Sequence, residues 1–176
     1  MVQVLHGTEA FEAFPALRSA HHAPNDVLQG WMAFVSQVTV PLELVAVSSA
    51  VEAARYELEA FANYERAACW LASGTEQAVT FALGWLESMH YSVWRAWWHW
   101  QRASSWLTNY GEPSPQKPYA LLLAESQSQQ QRLEQLGEEL RQYAAWLCEQ
   151  WQLVVPETMK DGWPTDESSA SATSQV

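Results

Sequence analysis

The chain reads as an all-α protein, an elongated antiparallel bundle or coiled coil of three long helices preceded by a shorter N-terminal helix. Three observations predict this. Apolar residues recur at alternating three- and four-residue steps through most of the middle of the chain. Only seven Gly and eight Pro occur in 176 residues, and most of the Pro fall between the periodic stretches. Nothing in the pattern requires a strand, and 176 residues suffice for one domain with a core but not for two ordinary ones.

Residues 1–24 mix Gly, Pro, His and scattered aromatics without a steady period, which predicts a loose arm with at most a short helix over 8–20. Asn25 or Asp26 then suits an N-cap for a helix carrying Trp31, Phe34, Val35 and Val38. Thr39-Val40-Pro41 marks a break, with Pro41 placed for a first helical turn. In the second helix Leu44, Val47, Val51, Ala54, Leu58, Phe61, Ala68 and Ala72 form a seam, interrupted by Glu65. A flank of Ala46, Ala50, Ala53, Ala60 and Ala67 runs beside it and would let a neighbour approach closely. Ser73-Gly74-Thr75-Glu76-Gln77 reads as a helix stop followed by a new cap, and so short a connection implies an antiparallel hairpin.

The third helix continues through Val79, Leu83, Leu86, His90, Val93, Trp97, Trp100, Ser104 and Leu107, and ends before Gly111-Glu112-Pro113-Ser114-Pro115. A fourth spans about 116–153 on a seam of Leu133, Leu136, Leu140, Tyr143 and Leu147. Its polar middle, Ser126 to Gln131, is expected to project from the bundle or face a partner. The bundle domain is therefore 25–155, and the Ser-, Thr- and acid-rich residues 156–176 are expected to be a disordered tail. Rods of this kind bury little of themselves alone, which predicts a homo-oligomer.

A formal net charge of −11 repels a phosphate backbone and anionic headgroups, so neither nucleic acid nor an acidic membrane is an expected partner. Cys69 and Cys148 are too few for a disulfide framework and lack metal-ligand spacing. The residues before Arg18 carry Glu9 and Glu12 but no base, the reverse of a targeting segment. The longest charge-free run, Val27 to Leu42, is broken by Gln29, Ser36, Gln37 and Thr39, so no transmembrane segment is expected. These features together predict a soluble cytoplasmic protein.

The informative segment is Tyr91-Ser92-Val93-Trp94-Arg95-Ala96-Trp97-Trp98-His99-Trp100, followed by Trp106. Trp97 and Trp100 share the seam, whereas Trp94 and Trp98 continue from Tyr91 on another side, so one seam cannot bury every indole. Residues 75–111 carry two acids and two bases, against five acids and two bases over 41–74. The third helix is thus the neutral, apolar member of an acidic chain, and Tyr91, Trp94, Trp97, Trp98, Trp100 and Trp106 are the candidate surface for a partner. The alternative is an internal aromatic cluster closed by the arm, the first helix, or Trp146 and Trp151 of the fourth.

No catalytic, cofactor or metal site is expected. Glu87-Ser88-Met89-His90 has the Glu-x-x-His spacing of di-iron bundles, but a second copy is absent. Arg95 and His99 loosely resemble the Arg and His of helical ribonuclease domains of the HEPN kind at a shorter spacing, and read more simply as Arg95 stacked on an indole. Neither a phosphate-binding Gly-rich loop nor a nucleophile elbow occurs.

Over Trp31 to Leu107 the chain resembles the phasins, small helical proteins that coat polyhydroxyalkanoate granules. The resemblance lies in Trp31 and Phe34, in the Glu- and Ala-rich helix ending Ala68-Cys69-Trp70-Leu71-Ala72, in the Ser73 to Ala78 hinge, and in the helix bearing Trp85, Tyr91 and Trp94. Eleven Trp, few Lys and a Gln-rich fourth helix depart from that family. The resemblance implies a non-enzymatic, granule-associated coat whose partner is a hydrophobic polymer surface. A structural or accessory subunit docking through the Trp-rich helix into a protein assembly is the competing expectation.

Overall fold

The computed structural model describes Phe14 and residues 25–35, 37–38, 41–110 and 117–163. The short helix expected over 8–20 and most of the arm and tail lie outside the described residues. Among the described residues four α-helices follow in order: α1 (Asn25–Val35), α2 (Pro41–Leu71), α3 (Glu76–Tyr110) and α4 (Tyr119–Trp151), then a 3₁₀ turn, Glu157–Met159. The protein is an all-α bundle, and the described residues contain no strand. At 1.5 Å per residue the 31, 35 and 33 residues of the long helices give rods of roughly 45–55 Å.

The α2–α3 hairpin closes as its residues dictate. Gly74 takes φ +63°, a left-handed conformation that costs Gly little, and its N–H donates to the Leu71 carbonyl at 3.2 Å. Thr75 caps α3, its Oγ1 accepting from the Ala78 N–H at 3.3 Å, with Glu76 in the first turn. Arg66 over Trp85, Tyr56 against His99 and the Trp100 bond to Glu57 show α2 and α3 running antiparallel along their length.

The face α2 buries differs from the seam expected of it. Ala46, Ala50, Ala53, Ala60 and Ala67 are buried, and so are Ala78, Ala82, Ala96 and Ala103 of α3. Leu44, Val51 and Leu58 of the expected seam stay exposed, whereas Val47 and Ala54 are buried. The reason is volume. Close-packed interiors match small residues on one side with large ones on the other. A chain with eleven Trp needs its Ala-lined surfaces inside to leave room for the rings.

α4 packs on α3, and α1 lies across α2 and α4 near the other end of the rods. Trp31 and Phe34 of α1 are fully buried, Trp31 with its ring 5.9 Å from Trp100 and Phe34 edge-on to Tyr119. Two buried carboxylates tie the helices together. Glu43 accepts from Lys117 Nζ at 2.5 Å and from the Tyr119 hydroxyl, and Glu57 accepts from Trp100 Nε1 at 2.8 Å and from Arg132. Phe14, in the arm expected to be loose, packs against Tyr143 at 5.4 Å.

Two expectations for the C-terminal half are corrected. The polar stretch 126–131 does not project as a whole: Ser126 is fully buried, and Gln130 Nε2 donates to Ser104 Oγ at 2.8 Å. The Ser126 hydroxyl donates to the Leu122 carbonyl of its own helix at 2.9 Å, so these polar atoms have partners, as burial requires. The tail is ordered at its start. Gln152 adopts a left-handed conformation, φ 54°, and Leu153 N–H returns to the Cys148 carbonyl at 2.8 Å, turning the chain back along the bundle. Met159 is buried, and Trp163 lies 5.3 Å from Trp97 and donates its N–H to His90 Nε2 at 3.1 Å.

Gly137 makes the room for Trp163, because a Cβ there would stand 2.3 Å from the indole Cζ2. Gly137→Leu is expected to expel Trp163, removing about 2–3 kcal/mol for half of an indole of ~200 Å². Faster limited proteolysis after residue 153, with helicity unchanged, is the readout; cleavage at the wild-type rate would show that the indole is not seated on Gly137.

Candidate contact surface

The six aromatic residues picked from α3 separate into different environments. Trp100 (0 % exposed) and Trp94 (2 %) belong to the interior, which corrects their assignment to a partner surface. Trp100 faces the α1 side, where Trp31 and Glu57 meet it. Trp97 is half-buried and used internally, donating its N–H to Glu134 at 2.9 Å and meeting Trp163 at a tilt of 46°. Trp98 and Trp106 are half-buried and Tyr91 is exposed. Indoles pointing in several directions can still be enclosed, because α1, α4 and the returning tail each cover a different side of α3.

Six of the exposed apolar residues instead lie along the α2–α3 hairpin. Leu44, Val51 and Leu58, spaced seven apart on α2, are each between 40 % and 50 % exposed, as are Trp70 at its end and Phe81 and Tyr91 of α3. Seven-residue spacing keeps the three α2 side chains nearly in line on a helix. Trp70 and Phe81 meet at 4.9 Å across the hairpin end and form an apolar tip there. Met32, Val35, Leu121 and Val154 are also exposed but lie off the hairpin.

Four of the chain's nine Lys and Arg residues share this hairpin, each with its guanidinium carbon over an aromatic ring. Arg55 sits 4.5 Å from the Tyr56 centroid, Arg66 4.7 Å from Trp85, Arg95 5.2 Å from Tyr56 and 5.7 Å from Trp98, and Arg102 5.4 Å from Trp98. Arg95 thus stacks on rings as its neighbours in sequence suggested. Guanidinium is weakly hydrated and costs less to bring against an apolar body than an ammonium does. Glu52, Glu59 and Glu65 of α2 with Glu76 and Glu87 of α3 set five acids outside the core against these four Arg, so the exposed side of the hairpin is close to neutral on a strongly acidic chain.

Two histidines lie behind these faces. Burial, reinforced by Arg141, pushes His90 down to about 4. Burial, reinforced by Arg95, does the same to His99. Both are therefore neutral near pH 7. Cys69 is exposed and Cys148 buried, and neither is in a disulfide. No group of three or more His, Cys, Asp or Glu among the described residues is arranged to hold a metal, and Glu87 accepts from Thr158 while His90 accepts from Trp163. Among the described residues no helix is long and apolar enough to cross a membrane.

The α2 part of the face was missed in the sequence because its Leu and Val were taken for the core seam. The signal that finds it is the unbroken Ala flank, which marks the close-packed side and leaves the larger residues outside. No family model, curated protein or solved structure compared with the chain matches it.

Proposed function

We propose that the protein is a non-enzymatic amphipathic helical protein that coats a hydrophobic surface through the outer face of the α2–α3 hairpin, a granule-associated role of the kind the phasin resemblance implies. The observation that carries this reading is the line of Leu44, Val51 and Leu58 with Trp70, Phe81 and Tyr91, exposed along a hairpin whose solvent-facing charges, five Glu and four Arg, nearly balance. An apolar face of that extent on an otherwise acidic chain suits a contact surface. The acids elsewhere suit the water side, where like charge keeps coated bodies apart.

Adsorption of the purified protein to polyester or polystyrene particles, with no other protein present, tests it. Saturable binding is expected, and Val51→Glu with Leu58→Glu is expected to weaken it at least about tenfold, since each side chain is about half exposed and so offers roughly 0.7–1.5 kcal/mol of apolar contact. Both positions are exposed, so the circular dichroism spectrum should not change. Adsorption indifferent to the double substitution would overturn the proposal. Binding only through a co-purifying protein of fixed stoichiometry would replace it with the accessory-subunit reading.

A further inference from the structure

The outward side of α2 carries a periodic row of its own. Val51, Arg55, Leu58, Ala62, Glu65 and Cys69 follow at alternating steps of four and three, and all are exposed except Ala62, which is half-buried. Such alternation is the seam of a coiled coil, the spacing at which one helix receives the side chains of another. The inward side of α2 is already closed by Ala46, Ala50, Ala53, Ala60 and Ala67. Val51 and Leu58 remain 41 % and 47 % exposed, so no described element of the same chain covers the row.

The charges on this row select its occupant. Arg55 and Glu65 are the two charged residues that interrupt it, ten positions apart, and Glu65 has no ion pair among the described residues. Laid antiparallel on a second copy, with Val51 opposite Cys69, the row places Arg55 on Glu65 and Leu58 on Ala62. Each contact then occurs twice, as a two-fold axis requires. On the flank of the same seam Glu52 comes within two residues' rise, about 3 Å, of Arg66 of the second copy. Four opposite-charge contacts result, against one like-charge contact, Glu59 with its own copy near the axis.

Other arrangements match less well. Parallel pairing sets Arg55 on Arg55 and Glu65 on Glu65, and like charges in a contact select against it. Sliding the antiparallel pair by one heptad brings Leu44 onto Cys69 but sets Arg55 on Leu58 and Glu65 on Ser48, so that each charge enters the contact without an opposite one.

We infer that α2 pairs with α2 of a second copy, antiparallel about Ala60, through Val51, Arg55, Leu58, Ala62, Glu65 and Cys69. The contact spans about 27 Å of helix, short for a permanent dimer, so the pair is a reversible one. It goes beyond the adsorption proposal, because it covers Val51 and Leu58 when no hydrophobic surface is present. It is measured without particles, so either reading fails without the other.

Sedimentation velocity of the full chain, with cysteine cross-linking under mild oxidation, tests the pairing. A monomer–dimer equilibrium with a dissociation constant of about 1–100 µM is expected. Arg55→Glu, at an exposed position, should weaken it at least about tenfold with the helical spectrum retained, and adding Glu65→Arg should restore it. Val51→Cys should form a covalent dimer through the exposed Cys69, and that dimer should be lost when Cys69→Ser is added. The inference is overturned by a monomer persisting to about 500 µM, by a charge exchange that fails to restore pairing, by a Cys69–Cys69 link in the wild type, which marks parallel helices, or by cross-linking from Leu44→Cys in place of Val51→Cys, which marks the shifted register.

Discussion

Trp100→Ala is expected to remove about 3–5 kcal/mol of folding stability, the cost typical of truncating a fully buried indole. The ring is 0 % exposed and packs 5.9 Å from that of Trp31, so its loss opens a cavity where α1 docks on the long helices. Its N–H also donates to Glu57 Oε1 at 2.8 Å, and without it Arg132 is the partner left, among the described residues, to a carboxylate that is 6 % exposed. For a chain of this length such a loss corresponds to a fall in Tm of about 10 °C. Trp100→Phe keeps a six-membered ring in place and removes the donor with the pyrrole part of the indole, so it is expected to cost less, about 1–3 kcal/mol. Thermal and chemical denaturation followed by circular dichroism give both numbers. A stable alanine variant would show that the indole is outside the core and would restore it to the contact surface.

Acidification between pH 6.5 and about 4 is expected to destabilise the protein through His90 and His99. Each has a folded pKa of about 4, below the ordinary histidine value of 6.5, with burial as the main cause. In that window the unfolded chain binds protons that the folded one refuses. Stability is therefore complete above pH 6.5 and falls as the pH drops toward the folded values, by on the order of 3 kcal/mol for each histidine. Protonated His90 could no longer accept from Trp163 Nε1, so the tail contact should weaken over the same range. The acidic surface acts in the opposite direction, because self-repulsion falls as carboxylates protonate. His90→Gln and His99→Gln isolate the histidine part: each should flatten the stability–pH curve, and curves parallel to the wild type would refute the assignment.

The two predictions bear on what a Trp-rich helix reveals before its neighbours are known. Three- and four-residue spacing places Trp97 and Trp100 on one side of α3 and Trp94 and Trp98 on another, and this much is legible in the chain. Whether a side faces water is not. Trp94 is enclosed while Tyr91, three residues before it, is exposed, and Trp98, four after it, is half-buried. Trp163 gave no periodic signal because it stands alone in an acidic, Ser- and Thr-rich segment, and its seat depends on Gly137, remote in sequence. The Ala flank of α2 was visible but read as secondary to the Leu and Val beside it, since hydrophobicity alone ranks larger side chains as core. Packing ranks them by fit, and Ala on facing helices fits where large rings fill the neighbouring layers.

The sequence by itself determined the elements: four helices, their order, the Gly74 and Thr75 hairpin, and an acidic chain with one neutral aromatic helix. Those features follow from interactions within a few residues, such as periodicity, caps and turns, which a linear chain displays directly. Only the tertiary structure decided which face of α2 is inside, which indoles are sealed, where Trp163 is seated, and that Tyr56 stacks on His99. These depend on residues tens of positions apart sharing a limited volume, and no local pattern in the chain carries that constraint.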